Sequence, residues 1–372
     1  MRRTRYNGVV FNTRASLYNV SITSGLVAAL GITIVTARME AGSLDPAQTT
    51  APSPCDLTTT DRVVAVGDVH GAFDAFTAIL REAGLIDKNR RWIGGRAVLV
   101  QLGDVLDRGP DSKRVLDLLR SLESDAARAG GQVHALVGNH EVMRMTGDLR
   151  YVSAKEYSAF ATPDSSSLRN ALYNSASQSM KDQARKAGEK FDEGAYSKRF
   201  FAETPLGLVE MHRAFSPKGE YGAWLRNKRA FIKLNDVLYV HGGFSPAIAA
   251  AGCAALATRA RLELLAATLD ATTEVDLLRR EDGPLWYRGL ADGAATDADL
   301  TAVLTALGAR AIVIAHTAMG DGRIQSTFGG RVMSIDTGML GGTFYPNGAP
   351  SALELKDGAA TAIYIGRREP VK

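Results

Sequence analysis

Six short apolar runs, each broken at its C-terminal end by a polar residue and mostly with glycine beside it, constrain this chain most. Residues 62–66 end in Gly67-Asp68-Val69-His70-Gly71. Residues 97–102 end in Gly103-Asp104-Val105-Leu106-Asp107-Arg108-Gly109. Residues 133–137 end in Gly138-Asn139-His140-Glu141, and 237–240 in His241-Gly242-Gly243. Residues 311–315 end in His316-Thr317, and 331–335 in Asp336-Thr337-Gly338. Each run has the length of a buried strand. Between the first three lie helical patterns, Phe73, Phe76, Ile79 and Leu80, then Val115, Leu118, Leu119 and Leu122. Strand–helix–strand order predicts parallel strands in an α/β fold. Their carboxyl ends are where such sheets bind ligands.

The remainder of the chain is less specific. Residues 143–234 form a long polar insertion. Its stretch 165–195 is predicted helical with Lys and Arg on an exposed face, and two readings stand, a lid over the strand ends or a solvated excursion. Residues 256–280 are a second helical stretch of Ala, Leu and charges. Within 372 residues there is no internal repeat. The formal charge of +4 is matched by Arg2, Arg3, Arg5 and Arg14, ahead of the first acid, so the rest is neutral and no nucleic-acid partner is implied.

A basic N-terminus followed by an apolar run over 25–37, with Val35-Thr36-Ala37 as a cleavage site, reads as a signal peptide. Extended back to Val20, the run nears the lower limit of a membrane span, so an uncleaved anchor that tethers the protein to a membrane is the second reading. A cytosolic protein with a misassigned start is the third. The expected compartment is extracytoplasmic. The predicted organisation is a targeting segment over 1–41, a flexible Pro/Thr/Ser-rich linker over 42–60, and a catalytic domain over 61–366, with the insertion inside 142–235. Of two cysteines, Cys55 lies in the linker and Cys253 in an Ala-rich helix; a disulfide and two free thiols are both open.

Four of the six histidines fall at strand ends, in company with Asp68, Asp104 and Asn139. One such residue is ordinarily a turn or cap residue, but coordinated strand endings point to ligands. Carboxylate oxygen with imidazole and no thiolate suits Mn, Fe or Zn. Two divalent ions close together need a shared carboxylate, and central Asp104 is the natural bridge. Asp68 and His70, one residue apart on extended chain, can point to the same side.

The first three motifs together resemble the signatures of the phosphoprotein phosphatase branch of the calcineurin-like metallophosphoesterases, and His241-Gly242-Gly243 and His316 match its later metal histidines. Within that branch the chain is similar to the Shewanella-like protein phosphatases of bacterial type. Gly283-Pro284-Leu285-Trp286-Tyr287-Arg288 and Leu238-Tyr239-Val240-His241-Gly242-Gly243 carry that part of the likeness, which spans about residues 62–355. The resemblance implies a metallophosphoesterase-type β-sandwich flanked by helices, with a helical insertion.

It also implies roles. One ion would take Asp68, His70 and Asp104, the other Asp104, Asn139, His241 and His316, with the later histidines open to a different sharing. Metal binding lowers the pKa of a water, which supplies a nucleophile near neutral pH. His140 would protonate the leaving oxygen, oriented by Asp107. Arg108 would clamp the phosphoryl oxygens, with Arg288 a candidate second clamp by position; a surface arginine is the plain alternative for Arg288.

Structural readings are favoured for Arg226, for His134 inside a strand, for His212 in the insertion and for Asp336 at the site floor. Glu141 has no need to be a ligand. The implied reaction is two-metal hydrolysis of a phosphate monoester on a protein or small molecule, with phosphotyrosine favoured. The alternatives are symmetrical dinucleoside tetraphosphate hydrolysis and a catalytically dead binding module. Against the last, every expected ligand and both acid partners are present.

Overall fold

In the computed structural model of this chain, residues 55–269 and 275–371 are described. The targeting segment read at 1–41 and residues 42–54 of the linker lie outside them. All six apolar runs become strands. β2 (Val63–Val66), β3 (Val98–Gln101) and β4 (Gln132–Ala135) lie side by side in parallel, Val64 opposite Leu99 and Leu99 opposite Val133. The crossovers are α1 (Phe73–Glu82) and α2 (Ser112–Arg128). Three antiparallel strands, β10 (Ser351–Lys356), β11 (Ala359–Tyr364) and β12 (Arg367–Pro370), extend this sheet beyond β2.

The second sheet repeats the logic. β6 (Val237–Val240), β7 (Ala311–Ile314) and β9 (Val332–Ser334) are parallel. β5 (Phe231–Leu234), β1 (Asp56–Leu57) and β8 (Gln325–Thr327) complete its six strands. Side chains alternate across each pleat. Val63, Ala65, Val98 and Val100 meet Ile232, Val237, Tyr239 and Val313 in one core between the sheets. Val64, Val66 and Leu99 point the other way, into a second core with Phe76, Leu80, Val115 and Leu119 of the flanking helices. Burial on both faces is why these strands read as unbroken apolar runs.

Several boundaries differ from the expectation. β5 falls inside the segment read as insertion and pairs antiparallel with β6 through Asn235-Asp236, both with positive φ. β1 pairs with β5, so the last residues of the segment read as a linker belong to the fold. β12 runs to Pro370, past residue 366.

Helix α3 (Asn139–Met145), which starts in the third motif, and helices α4 (Ala154–Phe160), α7 (Leu208–Phe215) and α8 (Glu220–Arg226) of the insertion belong to the same unit as the sheets. Residues 163–206 form a compact unit of their own. It holds α5 (Ser165–Ala187) and α6 (Glu193–Glu203), packed through Tyr173, Tyr196, Phe200 and Phe201. Gly188, at φ 71°, ends α5, so the stretch read as helical over 165–195 holds α5 and only the start of α6. The stretch read as helical over 256–280 likewise holds two separate helices, α10 (Cys253–Ala266) and α11 (Asp276–Arg279), with α9 (Pro246–Ala249) before them. Cys55 and Cys253 are joined in a disulfide, their Cα atoms 6.0 Å apart.

Candidate metal centre

The C-terminal ends of the six parallel strands bring their loops to one edge, where the loops hold one another. The amides of Val69 and His70 donate to the Asp104 carbonyl at 3.0 and 2.9 Å, and Gly109 N donates to the His70 carbonyl at 3.0 Å. The His316 amide donates to Asp68 Oδ1 at 3.1 Å, which links the two sheets. Glu141, read as no ligand, accepts from the amides of Asp104 (2.8 Å), Val105 (3.0 Å), Leu106 (3.3 Å) and Gly138 (2.8 Å). One buried carboxylate thus sets the backbone of two motifs. His70, Asp104, Asp107, Arg108 and His316 all have φ between 47° and 69°. Non-glycine residues pay of order 1 kcal/mol to sit there, and such strain gathers at functional sites.

The donors read as metal ligands converge and are buried. His241 Nε2 lies 2.9 Å from Asn139 Oδ1, 3.1 Å from His316 Nδ1 and 3.2 Å from Asp104 Oδ2. His70 Nε2 lies 3.5 Å from Asp68 Oδ2 and 3.8 Å from Asp104 Oδ2. His70 Nδ1 is 2.8 Å from the Leu106 carbonyl and His241 Nδ1 is 2.9 Å from the Leu102 carbonyl. Each ring is thus held at Nδ1 by a backbone carbonyl and turns its Nε2 inward, the orientation of metal-binding imidazoles. His316 Nε2 is buried without a partner.

The electrostatics agree. Burial alone would raise the Asp104 pKa, but the facing His241, His140 and His70 hold it well below the usual range. Asp68 is lowered against the same burial penalty, chiefly by His241. The two carboxylates overcome burial to push His241 up to about 9, while burial and charged His241 push His316 down to about 3. Ionised oxygens and inward-facing imidazole nitrogens around one small volume are a donor set that divalent cations satisfy.

Beside this cluster, His140 Nδ1 lies 2.6 Å from Asp107 Oδ2. Burial opposes charge on His140, but Asp104 and then Asp107 raise its pKa. Arg144 Nη2 is bonded to the other oxygen, Asp107 Oδ1. Arg108 is half-buried; its Nη1 donates to the Tyr345 hydroxyl at 2.5 Å and touches His70 Nε2. Its Cζ lies 5.6 and 5.8 Å from the ring centroids of Tyr151 and Tyr345. Arg288 is exposed at the rim, donating to the His316 carbonyl and Thr317 Oγ1, both at 3.0 Å.

The residues given structural readings lie as follows. Arg226 is buried on the carbonyls of Phe215, Gly222 and Ala267. His134 lies on β4, 3.1 Å from Gln132. His212 is buried in α7. Asp336 Oδ1 accepts from the Gly338 amide at 2.9 Å, and burial with the Asp68 charge holds its carboxyl well above the usual range. Sequence reasoning missed Arg144, Glu156, Tyr151 and Tyr345. Two left a local signal, Arg144 four residues after His140 on one helix face and Glu156 three residues after Ser153 at capping-box spacing.

The calcineurin-like phosphoesterase family profile matches residues 61–320. Shewanella-like protein phosphatase 2 of Arabidopsis thaliana is 29% identical over 311 residues, 82% of this chain and 77% of that one. The crystal structure of a cold-active protein-tyrosine phosphatase from a psychrophilic Shewanella species matches with a TM-score of 0.64 at 27% identity, over 86% of this chain and 82% of that one. A symmetrical bis(5'-nucleosyl)-tetraphosphatase of Hamiltonella defensa is 30% identical over only 29% of this chain.

Proposed function

Since the chain belongs to the calcineurin-like phosphoesterase family and is a metal-dependent phosphatase, we propose that it hydrolyses phosphate monoesters on proteins, with phosphotyrosine the favoured substrate. The observation that carries the reading is the convergence of six buried donors beside a His140–Asp107 pair. Asp68, His70 and Asp104 would hold one divalent ion, and Asp104, Asn139, His241 and His316 the other, as Mn, Fe or Zn. Bound ions supply Lewis acidity and a nucleophile at neutral pH.

The chain's own groups do the rest. Asp107 holds the Nδ1–H of His140, which leaves Nε2–H free to donate a proton to the leaving oxygen. Arg108 would present a planar fork to the phosphoryl oxygens, and Arg288 at the rim, beside His316, would add a second cation. Tyr151, 43% exposed, and Tyr345 flank Arg108, which suits an aryl ester. A site outside the cytoplasm, after signal cleavage or on a membrane tether, is supported by the Cys55–Cys253 disulfide.

The test compares kcat/KM on phosphotyrosine, phosphoserine and dinucleoside tetraphosphate substrates at matched Mn²⁺. The phosphotyrosine peptide is expected to lead; a much higher efficiency on the dinucleotide would overturn the protein-phosphatase reading.

A further inference from the structure

Arg144 follows His140 by one turn of α3, so both side chains leave the same helix face. They meet Asp107 from two sides, the imidazole at Oδ2 and the guanidinium at Oδ1. The same guanidinium nitrogen donates to Glu156 Oε1 at 3.2 Å. That oxygen also accepts from the Asp107 amide at 3.3 Å, so Glu156 grips the residue by its backbone as well. Glu156 is itself fixed at the start of α4. Its Oε2 accepts from the Ser153 amide at 3.1 Å, and its own amide donates to Ser153 Oγ at 3.3 Å. Ser153 Oγ in turn donates to the Gly109 carbonyl at 3.0 Å, at the end of the motif that carries Asp107.

Arg144 and Glu156 are each 1% exposed. An arginine so deep is costly unless it is paired, and here it sits between two carboxylates. Met211 Sδ lies 3.1 Å from Nη1, and the Phe215 ring centroid is 5.2 Å from Cζ, so α7 closes the remaining side. Asp107, at φ 69°, occupies a sparsely populated backbone region and needs neighbours to hold it there. Glu156 holds its amide, Arg144 holds Oδ1, and Oδ2 is left to the imidazole.

We propose that Arg144, backed by Glu156, is a positioning residue that fixes the Asp107 carboxylate so that His140 is held in its proton-donating orientation. The inference rests on the reading of His140 as the acid. One guanidinium nitrogen, Nη2, meets both carboxylates while the planar head is seated on Met211 and the Phe215 ring; an ammonium keeps the charge without that planar seat. Arg144→Lys therefore separates orientation from charge, and Glu156→Gln removes the backing while keeping its shape.

Both variants and His140→Asn are compared as metal-loaded full-length protein on nitrophenyl phosphate and phenyl phosphate, with elemental analysis of each. Protonation matters little for the first leaving group and much for the second. Arg144→Lys is expected to lower kcat on phenyl phosphate by about 10- to 100-fold and on nitrophenyl phosphate by less than about threefold, with KM within about twofold. Metal content stays at the parent level. On a His140→Asn background, Arg144→Lys should cost less than about a further twofold on phenyl phosphate, because both act through one proton. Glu156→Gln should show the same leaving-group split, which carries the test if Arg144→Lys does not fold. Equal losses on both esters, additive losses with His140→Asn, or a fall in metal content would overturn the inference. If His140→Asn itself loses equally on both esters, the acid assignment and this inference fall together; if only His140→Asn discriminates, the inference alone falls.

Discussion

Asp104 Oδ2 is faced by three imidazoles, His241 Nε2 at 3.2 Å, His140 Nε2 at 3.7 Å and His70 Nε2 at 3.8 Å. Its Oδ1 accepts from the His140 amide at 3.0 Å. Asp104→Asn keeps the shape and removes the charge these groups surround. It is expected to lose metal and turnover together, with activity down at least about a hundredfold, since outer-shell changes alone cost 10- to 100-fold. Elemental analysis beside turnover checks this; full metal content with lost activity would speak against a bridging role. His212 offers a test away from the metal cluster. Burial, then the Arg144 charge, lowers its pKa from 6.5 to about 4, and its Nε2 has no partner. The folded state therefore binds fewer protons than the unfolded chain between those values. Stability is full above about pH 6.5 and falls as pH drops towards 4, by at most about 1.4 kcal/mol per pH unit for this one group. Denaturant unfolding across that window should show a shallower slope in His212→Gln; an unchanged slope would remove His212 as a contributor.

At the scale of the loops, the motifs are packed backbone against backbone. Gly103 has φ 94°, and a Cβ there would collide with the backbone of Val137 and Gly138. Gly95 also has positive φ, 59°, but a Cβ there meets open space. Gly95→Ala should cost about 1 kcal/mol of conformational strain and leave metal binding alone. Gly103→Ala adds a collision between two ligand-bearing loops, and should cost about 2–4 kcal/mol and lower metal occupancy. Paired unfolding and metal titrations decide it; equal effects of the two changes would show that the contact does not matter to the site. The same scale explains which elements were readable. Five of the six parallel strands are buried on both faces and read as apolar runs; β4, at the sheet edge, has Gln132 exposed and His134 partly so. β8, Gln325–Thr327, and β12, Arg367–Pro370, carry polar or charged residues with no such run. β5, Phe231–Leu234, was read as the end of the polar insertion, since Lys233 interrupts its apolar residues and the long polar stretch before it hid the hairpin with β6 through Asn235-Asp236.

For the molecule as a whole, the disulfide closes 198 residues of separation, from the start of β1 to the first residue of α10. A crosslink of this kind contributes about 2–4 kcal/mol, largely by restricting the unfolded chain. Reductant should therefore lower the unfolding free energy by that amount in the parent and by nothing in Cys55→Ser/Cys253→Ser. Identical unfolding with and without reductant in the parent would mean that the thiols are not paired. Metal content should be the same in both proteins, because neither cysteine is among the clustered donors.

The candidate donors were readable because each motif is a short peptide whose reactive groups lie within a few residues, at the end of a strand that announces itself by burial. Local spacing suffices there, since two residues on extended chain or four on a helix set which way side chains face. The supports of those donors were not readable. Glu141 reaches Asp104 across 37 residues, Glu156 reaches Asp107 across 49, and Tyr345 reaches Arg108 across 237. No periodicity encodes such partners. They are chosen by which segments meet at the strand ends, after neighbouring strands of one sheet for Glu141 and Glu156 and from beyond the other sheet's last strand for Tyr345, and a buried carboxylate or guanidinium must then find its partner wherever that packing has left one.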